Sequence, residues 1–279
     1  MGTPMIRAMA TPHRIKTAAC LIIGDEVLNG KIKDTNSHYF AKYCFELGIE
    51  MRRCVVVPDE EEDIVSTIHM LKKYDFVVTT GGIGPTHDDI TYQAVASAFN
   101  LPMELDEETE MKMNLLSNRK PKDLLPHQRD AALRMAILPN GPNVSRTFVQ
   151  DDIWVPIVGV DHRFYIFPGI PQLFENLLQC LKPQILTRID TSVLQRRFVS
   201  TTEPESFIAK ALGDLHDEYR SQGVKIGSYP HLHLKRNTVS IIAPEEVDIE
   251  PLVQRIITEV AGTEISAEEE ELASKRPPS

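Results

Sequence analysis

The chain has 279 residues, of which 42% are hydrophobic and 25% are charged, and this balance excludes a fibrous or wholly disordered protein. Its length corresponds to about two domains. Its formal net charge of −10 argues against nucleic acid or an anionic membrane as a partner held by charge alone. No apolar run approaches the roughly 18 residues that a membrane-spanning helix needs.

The N-terminal segment carries Arg7, Arg14 and Lys16 without an acidic residue. This composition fits a frayed tail or a weak organelle-targeting segment, and we expect a flexible tail over residues 1–16. The cytosol is the expected location, with the nucleus and the mitochondrion as alternatives.

Three apolar runs in the first part of the chain are predicted to be strands, over residues 18–23, 53–57 and 76–80. Amphipathic helical patterns separate them, so the sequence predicts βαβ units with a parallel sheet and right-handed crossovers. In such sheets, ligands bind beyond the carboxyl ends of the strands. The polar loops after the first and third strands, residues 24–36 and 81–89, are therefore predicted to share one site.

The starts of the two intervening helices are predicted from their polar residues. Asn36 or Ser37 is the expected cap of the first helix. Five acidic residues, 59–63, open the second helix, where they complement the positive end of the helix dipole. We therefore expect a solvated helix start there rather than a metal site.

Beyond the third strand, residues 107–136 are predicted to be mostly helical. Two further strands are predicted over residues 154–160 and 163–167, and Asp161 and His162 suit the turn between them. A helix with regularly spaced leucines is predicted to follow the second of these strands.

The pattern changes near residue 188, where a β-α-β-β-α order replaces the alternating units. Strands are predicted over 195–201, 224–229 and 238–243, and helices over 205–219 and 249–260. We therefore expect an α/β domain over residues 17–189 and a small α+β domain over residues 190–262. The run of four glutamates and the proline-rich end predict a disordered tail over residues 263–279.

The four cysteines, Cys20, Cys44, Cys54 and Cys180, form no CxxC pair. Cys20 and Cys54 lie in apolar strand-like runs, and Cys44 lies on a helix face. We expect small buried side chains in a reducing compartment rather than zinc ligands or disulfides.

The strongest functional motif is the loop that contains Gly81, Gly82 and Gly84. These glycines let the backbone approach a ligand, and the helix that follows offers free N–H groups that suit phosphate. The loop lacks the lysine of a Walker A motif and the spacing of a dinucleotide fingerprint. Asp88 and Asp89 would repel an anion, so we expect a divalent cation to bridge them to phosphate oxygens. Capping of the helix by one aspartate is the alternative.

The loop over residues 24–36 is predicted to complete this site. Glu26 and Asp34 would add oxygen ligands for Mg²⁺ or a similar cation, and Lys31 would meet a phosphate. Asn36 and Thr91 are expected to contact the substrate or to cap the helices that they begin.

Three segments carry a family resemblance: GDEVLNG with DTN in residues 24–36, TGGIGPT with DDIT in residues 80–91, and FPGIP in residues 167–171. They resemble the molybdopterin-binding domain of molybdenum-cofactor biosynthesis proteins. The version in the competence-damage-inducible proteins and in the N-terminal half of eukaryotic FAD synthases is the most similar. This resemblance implies a three-layer α/β/α domain and a second α+β domain of KH-like shape.

The resemblance also implies a function, namely metal-dependent hydrolysis of a nucleotide pyrophosphate, with Mg²⁺ or Co²⁺ as the ion and with K⁺ dependence. Asp88 and Asp89 are the expected catalytic carboxylates. We expect a stand-alone FAD pyrophosphatase of the fungal type that yields FMN and AMP, because the chain ends before the adenylyltransferase or deamidase domains that relatives append. Hydrolysis of ADP-ribose or other dinucleotides is one alternative, and a non-hydrolytic molybdopterin- or nucleotide-binding module is another. Association of relatives implies a homo-oligomer.

Three other features are given structural interpretations. His231 and His233 are expected to be surface or substrate-lining residues rather than a metal pair, because no third ligand is evident. The lone Trp154 is expected to lie in the core. RNA binding by the second domain is discounted, because the domain lacks a GxxG loop and the chain is acidic.

Overall fold

The structure, a computed structural model, describes residues 14–117, 124–189 and 194–275. The chain divides into two compact units between residues 190 and 191. Each unit has its own hydrophobic core.

The first unit alternates strands and helices along its sequence. Its strands are β1 (Thr17–Ile23), β2 (Glu50–Val57), β3 (Phe76–Thr80), β4 (Met103–Leu105), β5 (Ile137–Pro139), β6 (Val144–Thr147), β7 (Ile157–Val160) and β8 (Phe164–Phe167). Its helices are α1 (Asp25–Leu28), α2 (Asn36–Glu46), α3 (Glu61–Leu71), α4 (Thr91–Phe99), α5 (Glu107–Leu116), α6 (Pro126–Arg134) and α7 (Pro171–Leu186). Among the helices within the described ranges, none is long and apolar enough to cross a membrane.

A six-stranded sheet in the order β2-β1-β3-β8-β7-β6 forms the centre of this unit. The first four of these strands pair in parallel, and β7 and β6 add antiparallel pairs. The predicted α/β class with a mostly parallel sheet is confirmed. Because β1, β2 and β3 run in one direction, the loops that follow them leave the same edge of the sheet.

Helices cover both faces of the sheet and give the predicted three layers. On one face, Phe40 of α2 and Leu177 of α7 are fully buried in one apolar cluster. On the other face, Ile64 of α3 and Val95 of α4 are fully buried in a second cluster. Each such side chain contributes about 1.5–3 kcal/mol by leaving water, so the two clusters fix the helices against the sheet.

The hairpin between β7 and β8 forms as the sequence predicts. Asp161 and His162 both adopt left-handed conformations, with φ of 53° and 56°. This pair of angles suits a two-residue turn whose twist matches that of its strands. The strand predicted from residue 154 begins only at Ile157, and the short strands β4, β5 and β6 were not predicted. Three or four residues are too few to show the alternation that marks a strand.

The predicted flexible tail over residues 1–16 extends too far along the chain. Residues 14–16 are ordered: Ile15 is 1% exposed and forms a parallel bridge with Ile189, and the Lys16 amide donates to Asp75 Oδ2 at 3.1 Å. The prediction of a flexible tail is therefore wrong for these residues, because an isolated apolar side chain gives no periodic signal. Residues 1–13 lie outside the described ranges.

The second unit contains β9 (Leu194–Thr201), α8 (Glu205–Tyr219), β10 (Lys225–His231), β11 (Arg236–Pro244), α9 (Glu250–Glu259), β12 (Thr263–Ile265) and α10 (Ala267–Ser274). Its antiparallel sheet has the order β10-β11-β9-β12. The predicted β-α-β-β-α order is present, and α8 and α9 pack their apolar residues against the sheet.

The prediction of a disordered tail is wrong over residues 263–275. Strand β12 pairs with β9, and α10 begins with a capping box in which Ser266 and Glu269 satisfy each other's backbone amides. The acidic run therefore opens a helix, where the carboxylates complement the helix dipole. Residues 276–279 lie outside the described ranges.

The cysteines are only partly as predicted. All four are free thiols, and Cys20 and Cys44 are buried. Cys54 is exposed, and Cys180 is half-buried. The prediction is wrong for Cys54 because β2 is the edge strand of the sheet and leaves one side of this residue uncovered.

Candidate active site

The two predicted loops meet at one cavity beyond the carboxyl ends of β1 and β3. Its volume is about 640 Å³, within the range of roughly 300–1,000 Å³ that small-molecule sites occupy. Seven predicted site residues line it: Glu26, Asp34, Asn36, Gly81, Gly82, Gly84 and Asp89. The other three predicted site residues, Lys31, Asp88 and Thr91, are not in its lining.

Two glycines at the start of the loop have backbone positions that side chains would block. Gly81 has a φ of 103°, and a Cβ there would lie 2.0 Å from the carbonyl oxygen of Ile23. Gly82 has a φ of 63°, and a Cβ there would lie 2.4 Å from Thr91 Oγ1. The motif therefore lets the backbone turn sharply at the end of β3 and leaves its surface open to the cavity.

Thr91 holds this turn in place. Its hydroxyl donates to the Gly81 carbonyl at 2.8 Å, and its amide donates to the Gly82 carbonyl at 3.0 Å. Its side chain is fully buried. Its predicted contact with substrate is therefore not what the structure shows, because both polar groups are already used inside the protein.

Asn36 links three segments of the site from the start of α2. Its Nδ2 donates to Thr80 Oγ1 and to the Gly169 carbonyl, both at 2.9 Å. Its Oδ1 is buried without a hydrogen-bond partner, although the side chain lines the cavity. A buried amide oxygen without a donor is costly, so this atom offers a ready acceptor to a bound ligand.

The two adjacent aspartates of the glycine loop have different surroundings. Asp89 Oδ2 accepts from the Thr86 amide at 2.8 Å and from the Thr86 hydroxyl, and the Asp89 carboxylate lies against Gly84. Asp88 projects to solvent, with 56% of its side chain exposed. No side chain caps α4, so the alternative that one of them is the cap of that helix is wrong.

Asp34 is occupied by a hydrogen-bonding role at the start of α2. It accepts from the Ser37 amide at 3.1 Å and from the Ser37 hydroxyl. It therefore ties down the helix start for which Asn36 or Ser37 was the predicted cap, and that prediction is wrong. With both of its oxygens bonded to Ser37, Asp34 has lost part of its capacity to bind a metal ion.

The remaining residues of the first loop divide between the cavity and solvent. The Glu26 carboxylate folds over Gly24, where a Cβ would lie 2.8 Å from Oε1. Lys31 is exposed, and its amide donates to Asn29 Oδ1 at 3.0 Å. Lys33, which was not predicted, is the lysine that lines the cavity.

Asp59, which was not among the predicted site residues, lies beside the glycine loop but is not in the cavity lining. Its Oδ2 accepts from the Asp25 amide at 3.0 Å, and its Oδ1 lies 3.4 Å from the Cβ position of Gly82. Burial raises the pKa of Asp59, the nearby charges of Glu26, Asp25 and Asp88 raise it further, and the Asp25 amide opposes them. The available signal was its position directly after β2, the same argument that located the other two loops.

Several carboxylates lie in or beside the cavity, but their side chains are not grouped as a metal centre. Within the described residues, no three His, Cys, Asp or Glu side chains are grouped as ligands of one ion. Hard oxygen donors of the kind that Mg²⁺ binds are nonetheless present on three loops: Glu26, Asp59 and Asp89. Their chemistry fits a divalent cation, and a substrate's phosphate oxygens would supply the remaining ligands.

One part of the cavity wall is apolar. It includes Trp154, Met135, Val155, Ile170 and Leu173. The prediction that Trp154 lies in the core is wrong, because this residue is only half-buried and faces the cavity. The wall provides a surface on which a flat aromatic ring can pack.

The histidines are not part of a metal site within the described residues. His87 is 95% exposed beside Asp88, with 3.8 Å between Nδ1 and Oδ1. In the second unit, His231 is buried and its Nε2 lies 2.9 Å from Thr238 Oγ1.

Comparisons with known proteins agree with this architecture. A family model described as "Probable molybdopterin binding domain" matches residues 19–187. A "Probable FAD synthase" of Caenorhabditis elegans is 32% identical over 244 residues, which are 83% of this chain and 47% of that protein. A "CinA-like protein" of Citrifermentans bemidjiense is 31% identical over 233 residues, which are 81% of this chain and 54% of that protein. The chain thus spans about half the length of these relatives.

A solved structure supports the same assignment for the first unit. The crystal structure of a protein described as CinA with unknown function, from Thermoplasma acidophilum, superposes with a TM-score of 0.54 at 27% identity. The superposition covers 61% of this chain and 98% of that one. Since the family model matches more than half of the chain, this protein belongs to the molybdopterin-binding domain family.

Proposed function

We propose that this protein hydrolyses the pyrophosphate bond of FAD in a metal-dependent reaction that yields FMN and AMP. The observation that carries the proposal is the composition of one cavity, which combines a glycine loop, half-buried carboxylates and an apolar wall with a tryptophan. These surfaces match the phosphates, the required cation and a flat ring of such a substrate. The similarity to a probable FAD synthase supports the choice of FAD.

The phosphate end of the substrate belongs at the glycine loop. Gly81, Gly82 and Gly84 expose backbone beside the N-terminus of α4, whose dipole favours an anion. Lys33 lies in the same lining and supplies a positive charge. The Asn36 amide oxygen, which has no donor, accepts from an N–H or O–H group of the substrate.

The acidic residues require a cation between them and the pyrophosphate. Asp89 and Glu26 line the cavity, so we assign these two as the residues that would hold the ion. Asp88 lies on the solvent side, where its negative charge would attract the cation without contacting it. When bound, Mg²⁺ or Co²⁺ supplies charge neutralisation and polarises the phosphorus that water attacks.

The chain's own residues then position and activate water. Asp59, which lies beside Gly82 and is not assigned to the ion, is the proposed base, because its raised pKa gives it a greater affinity for the proton of an attacking water molecule. The attack on phosphorus breaks the bond to the bridging oxygen, which leaves with one nucleoside monophosphate. Thr91 keeps the glycine loop fixed while the charge on the phosphates is redistributed.

A specific observation favours a second candidate, a nucleotide- or molybdopterin-binding module without hydrolysis. No three-ligand metal group is assembled within the described residues, so the site could bind its ligand without activating water. Hydrolysis of ADP-ribose or another dinucleotide is a variant of the first proposal that uses the same loop.

The test is a substrate panel with the full chain. FAD, ADP-ribose and NAD are each incubated with Mg²⁺ or Co²⁺, with and without K⁺, and the products are separated and quantified. The proposal expects FMN and AMP from FAD, with little product from the others. If ADP-ribose were the only compound cleaved, to AMP and ribose 5-phosphate, ADP-ribose would be the substrate and not FAD. Tight binding of a ligand without turnover would favour the binding module.

A further inference from the structure

Cys20 and Cys54 lie side by side on the sheet of the first unit. They are register partners on the adjacent parallel strands β1 and β2. Neighbouring strands are about 4.7–4.9 Å apart, and partners in register point to the same face. This spacing lies within the roughly 4.4–6.8 Å between Cα atoms that a disulfide allows.

The two thiols differ in their access to solvent. Cys20 is fully buried among the apolar residues under α2, whereas Cys54 is exposed on the edge strand β2. A dissolved reagent therefore reaches Cys54 before Cys20. This is the arrangement of an attacking thiol and a resolving thiol.

Hydrogen bonds favour the thiolate at the exposed position. The pKa of Cys54 is lowered to about 7, and the largest cause is the hydrogen bond that the Cys20 thiol donates to it. Burial and the charge of Asp34 act in the opposite direction. The same hydrogen bond and burial raise the pKa of Cys20, which keeps its proton.

We propose that Cys54 and Cys20 form a dithiol site that hydroperoxides oxidise to an intramolecular disulfide. The Cys54 thiolate attacks one peroxide oxygen, the O–O bond breaks, and Cys54 becomes a sulfenic acid while hydroxide leaves and is protonated to water. The Cys20 sulfur then attacks the Cys54 sulfur, loses its proton and displaces a second water. Two thiols are oxidised and one hydrogen peroxide is reduced to two waters.

Peptide mapping of the full chain tests the proposal. The protein is treated with hydrogen peroxide, the remaining thiols are alkylated, and a digest is searched for a peptide in which Cys20 and Cys54 are linked. Before alkylation, the mass of the intact oxidised chain should be about 2 Da lower than that of the reduced chain. We expect the linked peptide in the parent and in the control Cys180→Ser, which alters a half-buried thiol on α7. We expect none in Cys54→Ser. In Cys20→Ala, Cys54 should proceed to sulfinic acid because no resolving thiol remains.

A second measurement does not depend on the fold of the variants. The alkylation rate of Cys54 in the parent chain is followed against pH, in the native state and in urea. We expect a midpoint near pH 7 in the native state and near the ordinary value of about 8.5 in urea. Oxidation of Cys54 in the parent to sulfinic acid without linkage, or equal native and denatured midpoints, would overturn the proposal.

Discussion

Replacing Asn36 with aspartate tests how the buried amide organises the site. Asn36 is 6% exposed, and its Nδ2 donates to Thr80 Oγ1 and to the Gly169 carbonyl. Aspartate has nearly the same shape but no amide donors. The Thr80 hydroxyl already donates to the Pro168 carbonyl at 2.9 Å, so it is not free to compensate without losing that bond.

The expected loss of stability follows from these contacts. Two lost hydrogen bonds cost about 0.5–1.5 kcal/mol each, and burial of an ionised carboxylate adds about 1.4 kcal/mol for each unit by which its pKa rises. We expect Asn36→Asp to lower the free energy of unfolding by roughly 2–4 kcal/mol at pH 7. We expect burial to raise the folded-state pKa of the new carboxyl, so the destabilisation should shrink as the pH falls below that raised pKa and lose its charge contribution only below about 3.9, the unfolded-state value.

Urea unfolding of the full chain at pH 7 and pH 4.5 measures this prediction. Asn176→Asp is the matched control, because Asn176 bonds Gln150 at the surface, and we expect it to change stability by less than about 0.5 kcal/mol. If Asn36→Asp unfolded like the parent at pH 7, the assigned hydrogen bonds would be wrong. If it lost equal stability at both pH values, the predicted burial of the new charge would be wrong.

Three further predictions concern the cavity. Gly82→Ala places a Cβ 2.4 Å from Thr91 Oγ1. Gly30→Ala is the control, because Gly30 has a similar φ and no neighbour within 4 Å. We expect Gly82→Ala to be less stable than Gly30→Ala by about 1–3 kcal/mol, and equal unfolding midpoints would contradict this. Asp59→Asn removes a carboxylate whose pKa is raised in the folded state, so it should raise the urea midpoint of unfolding at pH 7. This gain in stability should disappear near pH 3.5, where the parent carboxylate is largely protonated. A lower midpoint than the parent's at pH 7 would contradict the raised pKa. Trp154→Ala should weaken FAD binding by roughly 5- to 150-fold in equilibrium dialysis, whereas Phe207→Ala in the second unit should leave it unchanged; equal affinities would remove Trp154 from the site.

Much of the fold and the location of the site could be predicted from local patterns. Apolar strands alternating with amphipathic helices fix a parallel sheet, and that topology brings the loops after β1 and β3 together. The residue roles were harder to predict, because they depend on directions that sequence does not show. Asp59 was read only as part of a helix start, yet its carboxylate turns back to the Asp25 amide.

Other differences have similar physical causes. Thr91 fits a ligand-contact motif by position, but its hydroxyl is used by the Gly81 carbonyl. Trp154 was assigned to the start of a predicted strand, but β7 begins only at Ile157, so the half-buried place of Trp154 in the cavity wall could not be predicted from the sequence. Lys31 and Lys33 lie two residues apart in an irregular loop, where spacing alone does not decide which faces the ligand.

The most direct test of the account compares the parent with Asp89→Asn under single-turnover conditions with FAD and a divalent cation. Trp154 is the only tryptophan of the chain and lies in the cavity wall, so quenching of its fluorescence reports FAD binding separately from cleavage. We expect equimolar FMN and AMP from the parent and no product with a chelator. A folded Asp89→Asn should still show fluorescence quenching by FAD but cleave it at least about a hundredfold more slowly. Undiminished cleavage by that variant, or FAD bound by the parent without cleavage under any divalent cation, would contradict the proposed function.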